Sequence, residues 1–225
     1  MRKYRKNAAT QVRTEYGADL VEGLNAFPET APFSASLAQR NDALDVAFAA
    51  RQQARRPLVK ARAKVRISNF LADSELRAYA RACETADGGR RGPVFDAAFP
   101  SGLVEVVAPV GKAQAGATKT LIDRVTQSKL AALAALNVQW LPRLQAAHDR
   151  IAAAAQAYQT ALQGYQTAFG EEVALRDDHA LVVDTLMGQV RATFPNDRDR
   201  QDAIFPEVTT GSGAEVADDD AEKVP

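Results

Sequence analysis

From Leu141 to Phe169 nine residues fall at alternating spacings of three and four: Leu141, Leu144, His148, Ile151, Ala155, Tyr158, Leu162, Tyr165 and Phe169. Only a helix gathers such positions onto one stripe, and alternation without a slip is the a/d pattern of helices packed along their length. A second register occupies residues 36–87. Leu37, Leu44, Leu58, Val65, Ala72 and Tyr79 recur at multiples of seven, with Phe48, Leu76 and Cys83 four places on. Arg51 interrupts the first of these rows, and Asn41, Arg55, Arg62 and Asn69 interrupt the second. Apolar layers therefore lie near both ends of the segment, with a polar stretch between them. Pro57 falls in that stretch, either as the start of a second helix or as a kink within one long helix. Hydrophobic residues reach 46%, but much of this is Ala and aromatics supply only 7%, so close helices with thin cores are expected. The predicted fold is all-α: an elongated, antiparallel, coiled-coil-like helical bundle.

The chain also echoes itself. Asp96-Ala97-Ala98-Phe99-Pro100 returns as Asp202-Ala203-Ile204-Phe205-Pro206, each time after a long helix-patterned stretch. The two seams superpose at an offset of 107 residues, which sets Leu37 on Leu144, Leu44 on Ile151, Leu58 on Tyr165 and Tyr79 on Leu186. The pentapeptides are offset by 106. Two related helical units are expected, each closed by an aromatic-proline plug, and specific function should sit where the copies diverge.

On this basis residues 1–33 form a basic arm with a short helix through Val12, Tyr16, Leu20 and Leu24, weakened by Gly17 and Gly23. Residues 34–208 form the bundle, with unit one at 34–105, unit two at 117–208, and an ordered Gly/Pro-rich connector at 88–116. Residues 209–225 form an acidic tail with almost nothing to bury, expected to be disordered. Ser34 or Ser36 is a candidate cap for the first long helix, and Gly88-Gly89 its stop. Leu103 to Val107 offers at most a short extended segment. Thr118 is placed to cap a helix, Trp140-Leu141-Pro142 marks a helix restart, and Gly170 is a candidate end.

Charge sums to zero but is unevenly laid out. Residues 1–66 carry 13 Lys/Arg against 6 Asp/Glu, and residues 171–225 carry 5 against 14. Such polarity steers partners or lets the two ends attract each other. Cys83 is the single cysteine, which excludes an intramolecular disulfide. The basic start Met1 to Lys6 has no apolar run behind it, and no stretch approaches the ~20 apolar residues of a membrane span. The expected location is cytoplasmic.

Motifs with chemistry are few. Gly111 and Gly116 have P-loop spacing, yet Ala117 stands where Lys is required. His148 and His179 both lack the Glu three residues earlier that helical di-metal centres use. Glu172 is seven residues before His179 on the same face, so a pairing of the two histidines with Glu172 requires their helices to face each other. Cys83 occupies a seam position suited to a small buried residue. No metal, cofactor or catalytic residue is assigned.

The one patch that exceeds an ordinary surface is 51–66, with Arg51, Arg55, Arg56, Lys60, Arg62, Lys64 and Arg66 and no acid among them. It suits a nucleic acid, an anionic membrane surface or an acidic protein segment, including the tail 215–222. The expected role is a non-enzymatic interaction or scaffold protein of the bacterial cytoplasm, with self-association or another protein partner and no small-molecule substrate. The alternatives are a binding module for an anionic partner through 51–66 and a metal-dependent enzyme.

Overall fold

The computed structural model describes residues 3–206, and among them seven α-helices and no strand occur. They are α1 (Thr10–Asn25), α2 (Ser34–Ala86), α3 (Pro93–Ala98), α4 (Val104–Val107), α5 (Lys112–Gln127), α6 (Ala131–Thr193) and α7 (Arg198–Ile204). The chain is all-α, as its periodicity predicts. The tail 209–225 lies outside the described residues, and among those described no helix is long and apolar enough to cross a membrane.

The open question about 36–87 resolves into one helix, since α2 runs 53 residues with Pro57 inside it. A mid-helix proline removes an amide donor and crowds the carbonyl four residues back, at roughly 3 kcal/mol. Pro57 is exposed, so the orphaned carbonyl reaches water, and packing on either side carries the helix through. For the same reason α6 passes Pro142, where the sequence predicts a restart, and runs 63 residues. Gly170 does not end it either. That position faces open space, where glycine costs only about 1 kcal/mol relative to Ala. The stop of α2 is as predicted: Gly88 and Gly89 take φ of 82° and 86°, and the Gly89 N–H donates to the Glu84 carbonyl at 2.9 Å.

Three local expectations fail. Ser34 and Ser36 donate backwards to the carbonyls of Ala31 and Phe33 instead of capping amides. The segment around Val104–Val107 is a helical turn, not an extended one, with Val106 buried. Thr118 lies mid-helix and fully buried, because the positive-φ turn at Gly111 (59°) starts α5 at Lys112.

Contacts group the described residues into two compact units: unit 1 holds 3–55 and 164–206, and unit 2 holds 56–163. In unit 1 the shares of α2 and α6 run antiparallel, since Arg40 meets Asp178 while Arg51 meets Glu172. Leu20, Leu24, Leu37, Val183, Val190 and Phe205 build its core. α1 turns the expected face inward through Tyr16, Leu20 and Leu24, but Arg13 is buried beside them and Val12 is 43% exposed. Its glycines are contact points. A Cβ on Gly23 would collide with the Ile204 carbonyl, and one on Gly17 with the Asn41 side chain.

Unit 2 is antiparallel by the same test, with Glu75 paired to Arg143 at 2.8 Å and Tyr79 bonded to Asn137 at 3.2 Å. Tyr79 lies between Phe99 and Trp140, with ring centres 5.9 and 5.8 Å away. Asp87 accepts the Val94 and Phe95 amides and so fixes the start of α3. Burial pushes the Cys83 thiol up to about 11, which leaves it unreactive at neutral pH.

The two units use the same set of parts. Each has a 16-residue helix (α1 or α5), antiparallel lengths of α2 and α6, and a Phe plug (Phe205 or Phe99). α1 packs on α7, and α5 on α3. Unit 1 thus joins α1, which precedes the first copy of the echo, to the plug of the second, unit 2 joins α5 to the plug of the first, and the segments 34–105 and 117–206 each contribute to both units.

Candidate functional site

An ion-paired cluster occupies the polar middle of unit 1. Glu172 is fully buried on α6. Its Oε2 pairs with Arg51 Nε at 2.5 Å, and its Oε1 takes Arg176 Nη2 at 2.5 Å together with the Thr10 hydroxyl. Arg176 Nε also donates to Thr10 Oγ1 at 2.7 Å, and the Arg51 guanidinium lies over Phe48 and Phe169. One turn further on, His179 is held by Tyr4 Oη at Nδ1 (2.7 Å) and by Asn41 Oδ1 at Nε2 (2.8 Å). With Asn41 in this orientation the imidazole donates from Nε2 and accepts the tyrosine proton at Nδ1. Arg13 closes the group by donating to the carbonyls of Ala8, Arg176 and Lys6.

Both ring nitrogens of His179 are thus committed, and His148 belongs to unit 2, against Asp149 at 2.9 Å. Among the described residues no group of three or more His, Cys, Asp or Glu is placed to hold a metal. The cluster reads as a fastener that ties the N-terminal arm and α1 to α2 and α6.

Burial, reinforced by Arg13 and Lys3 and opposed by Asp178, lowers the His179 pKa from 6.5 to about 4. The native state therefore refuses a proton that the unfolded chain accepts. Stability is full above pH 6.5 and falls as pH drops toward 4. Between pH 6.5 and 5 the loss should be about 2 kcal/mol. Urea titrations of the wild type and His179→Gln across that window check this, since the variant should lose most of the slope.

Unit 2 differs at the corresponding place. At the seam offset of 107, Glu172 superposes on Val65, Arg51 on Tyr158 and Arg176 on Asn69. Where unit 1 has an ion-paired cluster, unit 2 has a cavity of about 850 Å³. Three elements wall it: α2 through Val59, Arg62, Ala63, Val65, Arg66 and Asn69; the turn and first residues of α5, Val110 to Ala113; and α6 through Ala155, Tyr158 and Gln159. Asn69 Oδ1 accepts the Gly111 amide at 3.2 Å and so seats the α5 turn on α2. A Cβ on Gly111 would reach 3.7 Å from Val65, so the turn approaches the wall closely.

The lining mixes apolar and cationic groups. Ala155 is buried and Val65, Asn69 and Tyr158 half-buried, whereas Val59, Val110, Arg62, Arg66 and Lys112 are exposed. No carboxylate lines the cavity. Neither Arg66 nor Lys112 is engaged by a hydrogen bond or ion pair from any described residue.

The basic patch predicted at 51–66 is therefore divided. Arg51 is consumed by Glu172 in unit 1, which corrects its place among surface cations. Arg55, Arg56, Lys60 and Lys64 lie along α2, and Arg62 and Arg66 border the cavity. Lys112 escapes the patch because it lies in the glycine turn that resembles a defective P-loop. The run before it, Val104–Val107, is helical and not extended, and the turn brings Lys112 to the cavity. No family model, curated protein or solved structure matches the chain.

Proposed function

We propose that the protein is a non-enzymatic binding module whose unit 2 takes a small amphipathic anion, with an apolar body against Val65, Ala155 and Tyr158 and an anionic head among Arg62, Arg66 and Lys112. The observation that carries this reading is a cavity lined by apolar side chains and three cations, with no acid. Its volume falls within the roughly 300–1,000 Å³ of ordinary small-molecule sites. The sequence patterns call for no small-molecule ligand; the cavity supports one. The lining offers no His, Cys, Ser, Thr, Asp or Glu, which leaves Tyr158 and Lys112 as its only candidates for acid–base or nucleophilic work.

Calorimetry with dodecyl phosphate and uncharged dodecanol tests the proposal. The phosphate should bind at least tenfold more tightly. Arg66→Glu combined with Lys112→Glu should weaken it by about 10- to 100-fold, as expected for losing charge-assisted hydrogen bonds. Equal affinity for the two amphiphiles, or a double variant that binds as well as wild type, overturns it.

A further inference from the structure

In unit 2, α2 packs inward through Ala61, Ser68, Ala72, Leu76 and Tyr79, which are all buried. The opposite face should be polar if water were its only neighbour. It is not. Val59, Ala63, Ile67 and Phe70 follow one another at spacings of four, four and three, so they share one outward row. Phe70 is 73% exposed, Val59 57% and Ile67 54%, with Leu71 beside them at 39%. Exposed apolar residues scattered singly need no explanation, but a contiguous row does.

Cations flank this row on both sides. Arg56, Lys60 and Lys64 form one i, i+4 line along it, and Arg62 and Arg66 form the other. Residues 46–72 contain no Asp or Glu. An apolar row edged by Lys and Arg is the pattern of a helix that lies in the headgroup region of an anionic bilayer, with apolar side chains inserted and cations at the phosphates. A nucleic acid would use the cations but leave Ile67 and Phe70 without a role.

We propose that this face of α2 docks unit 2 onto anionic lipid membranes, with Ile67 and Phe70 entering the interface and Lys60 and Lys64 contacting lipid phosphates. Val59, Ala63, Arg62 and Arg66 border the cavity as well, but Ile67, Phe70, Lys60 and Lys64 do not, so these four can be altered without touching the ligand site.

The test is flotation of the full-length protein with vesicles of phosphatidylcholine alone or an equimolar mixture with phosphatidylglycerol. Binding to the mixed vesicles should be at least ~tenfold stronger than to phosphatidylcholine. Ile67→Ser with Phe70→Ser should weaken it by ~tenfold or more, as expected for two inserted side chains. Lys60→Glu with Lys64→Glu should weaken it comparably. Both pairs replace exposed residues, so circular dichroism should be unchanged, and dodecyl phosphate affinity should be kept. Phe70→Trp should add blue-shifted emission that lipid-borne quenchers reach. Absence of a preference for the mixed vesicles overturns the proposal. So does added emission in the Phe70→Trp protein that quenchers cannot reach, or a double serine variant that floats as well as wild type. If duplex DNA competes fully while the serine variant binds normally, the face is a general polyanion site and the proposal fails.

Discussion

Glu172→Leu should destabilise unit 1 by about 3–5 kcal/mol, the typical loss when one partner of a buried ion pair is removed. The reason lies in what remains. Arg51 Nε and Arg176 Nη2 both converge on this carboxylate at 2.5 Å, and the Arg51 and Arg176 side chains are only 13% and 21% exposed. Without Glu172 the two cations lose the carboxylate they share, while Arg176 keeps its bond to the Thr10 hydroxyl. Glu172→Gln should cost less, because the amide oxygen still accepts from Thr10 and Arg176 even though the charge is gone. Replacing Arg51, Glu172 and Arg176 together with apolar residues of similar volume should recover most of the loss, because the desolvation penalty then disappears with the charges. Urea unfolding followed by circular dichroism decides the matter. If Glu172→Leu unfolds within about 0.5 kcal/mol of wild type, the cluster does not fasten the unit.

Much of the fold is legible because helical periodicity is a property of one strand of sequence. The seam from Leu141 to Phe169, the stop at Gly88-Gly89 and the Phe-Pro plugs need no knowledge of partners. Pro57, Pro142 and Gly170 mislead or leave matters open for the converse reason. Local propensity disfavours helix at each by about one to about three kcal/mol, and packing of the long flanking stretches outweighs that. Arg51 shows the same limit from another side. As sequence it is one cation among seven; its fate depends on Glu172, which is distant along the chain and adjacent in space. Gly17 and Gly23 read as weak points of a helix, yet they are where α1 comes closest to Asn41 and Ile204.

The cavity is hidden from the sequence because no single segment contains it. Arg62 and Arg66 are recognisable as cations, Gly111 and Lys112 as a defective phosphate loop, and Tyr158 as core. Only the folding of α5 against α2 and α6 brings the three together. At the seam offset of 107, Val65, Tyr158 and Asn69 stand where unit 1 has Glu172, Arg51 and Arg176, so the charges that interlock in unit 1 have no counterpart there. Those three residues line the cavity of unit 2.

The plugs, by contrast, should behave alike. Phe99→Ala and Phe205→Ala are each expected to cost about 3–5 kcal/mol, the usual range for deleting a buried Phe from a core that relaxes only partly. Phe99 is 1% exposed with Phe95 5.2 Å away, and Phe205 is 4% exposed within the core built by Leu24, Val190 and Ile204. On a chain of this length either loss should lower the melting temperature by about 10 °C. The two variants separate in fluorescence. Trp140 is the single tryptophan and touches Tyr79, which in turn touches Phe99. Phe99→Ala should therefore alter native Trp140 emission, whereas Phe205→Ala should leave it unchanged while lowering helicity on heating. Conservative Phe→Leu changes should restore at least half the stability at both positions, because volume matters more than aromaticity when a plug seals a core. A Phe205→Ala protein that melts with the wild type would mean that α7 rests on unit 1 without stabilising it.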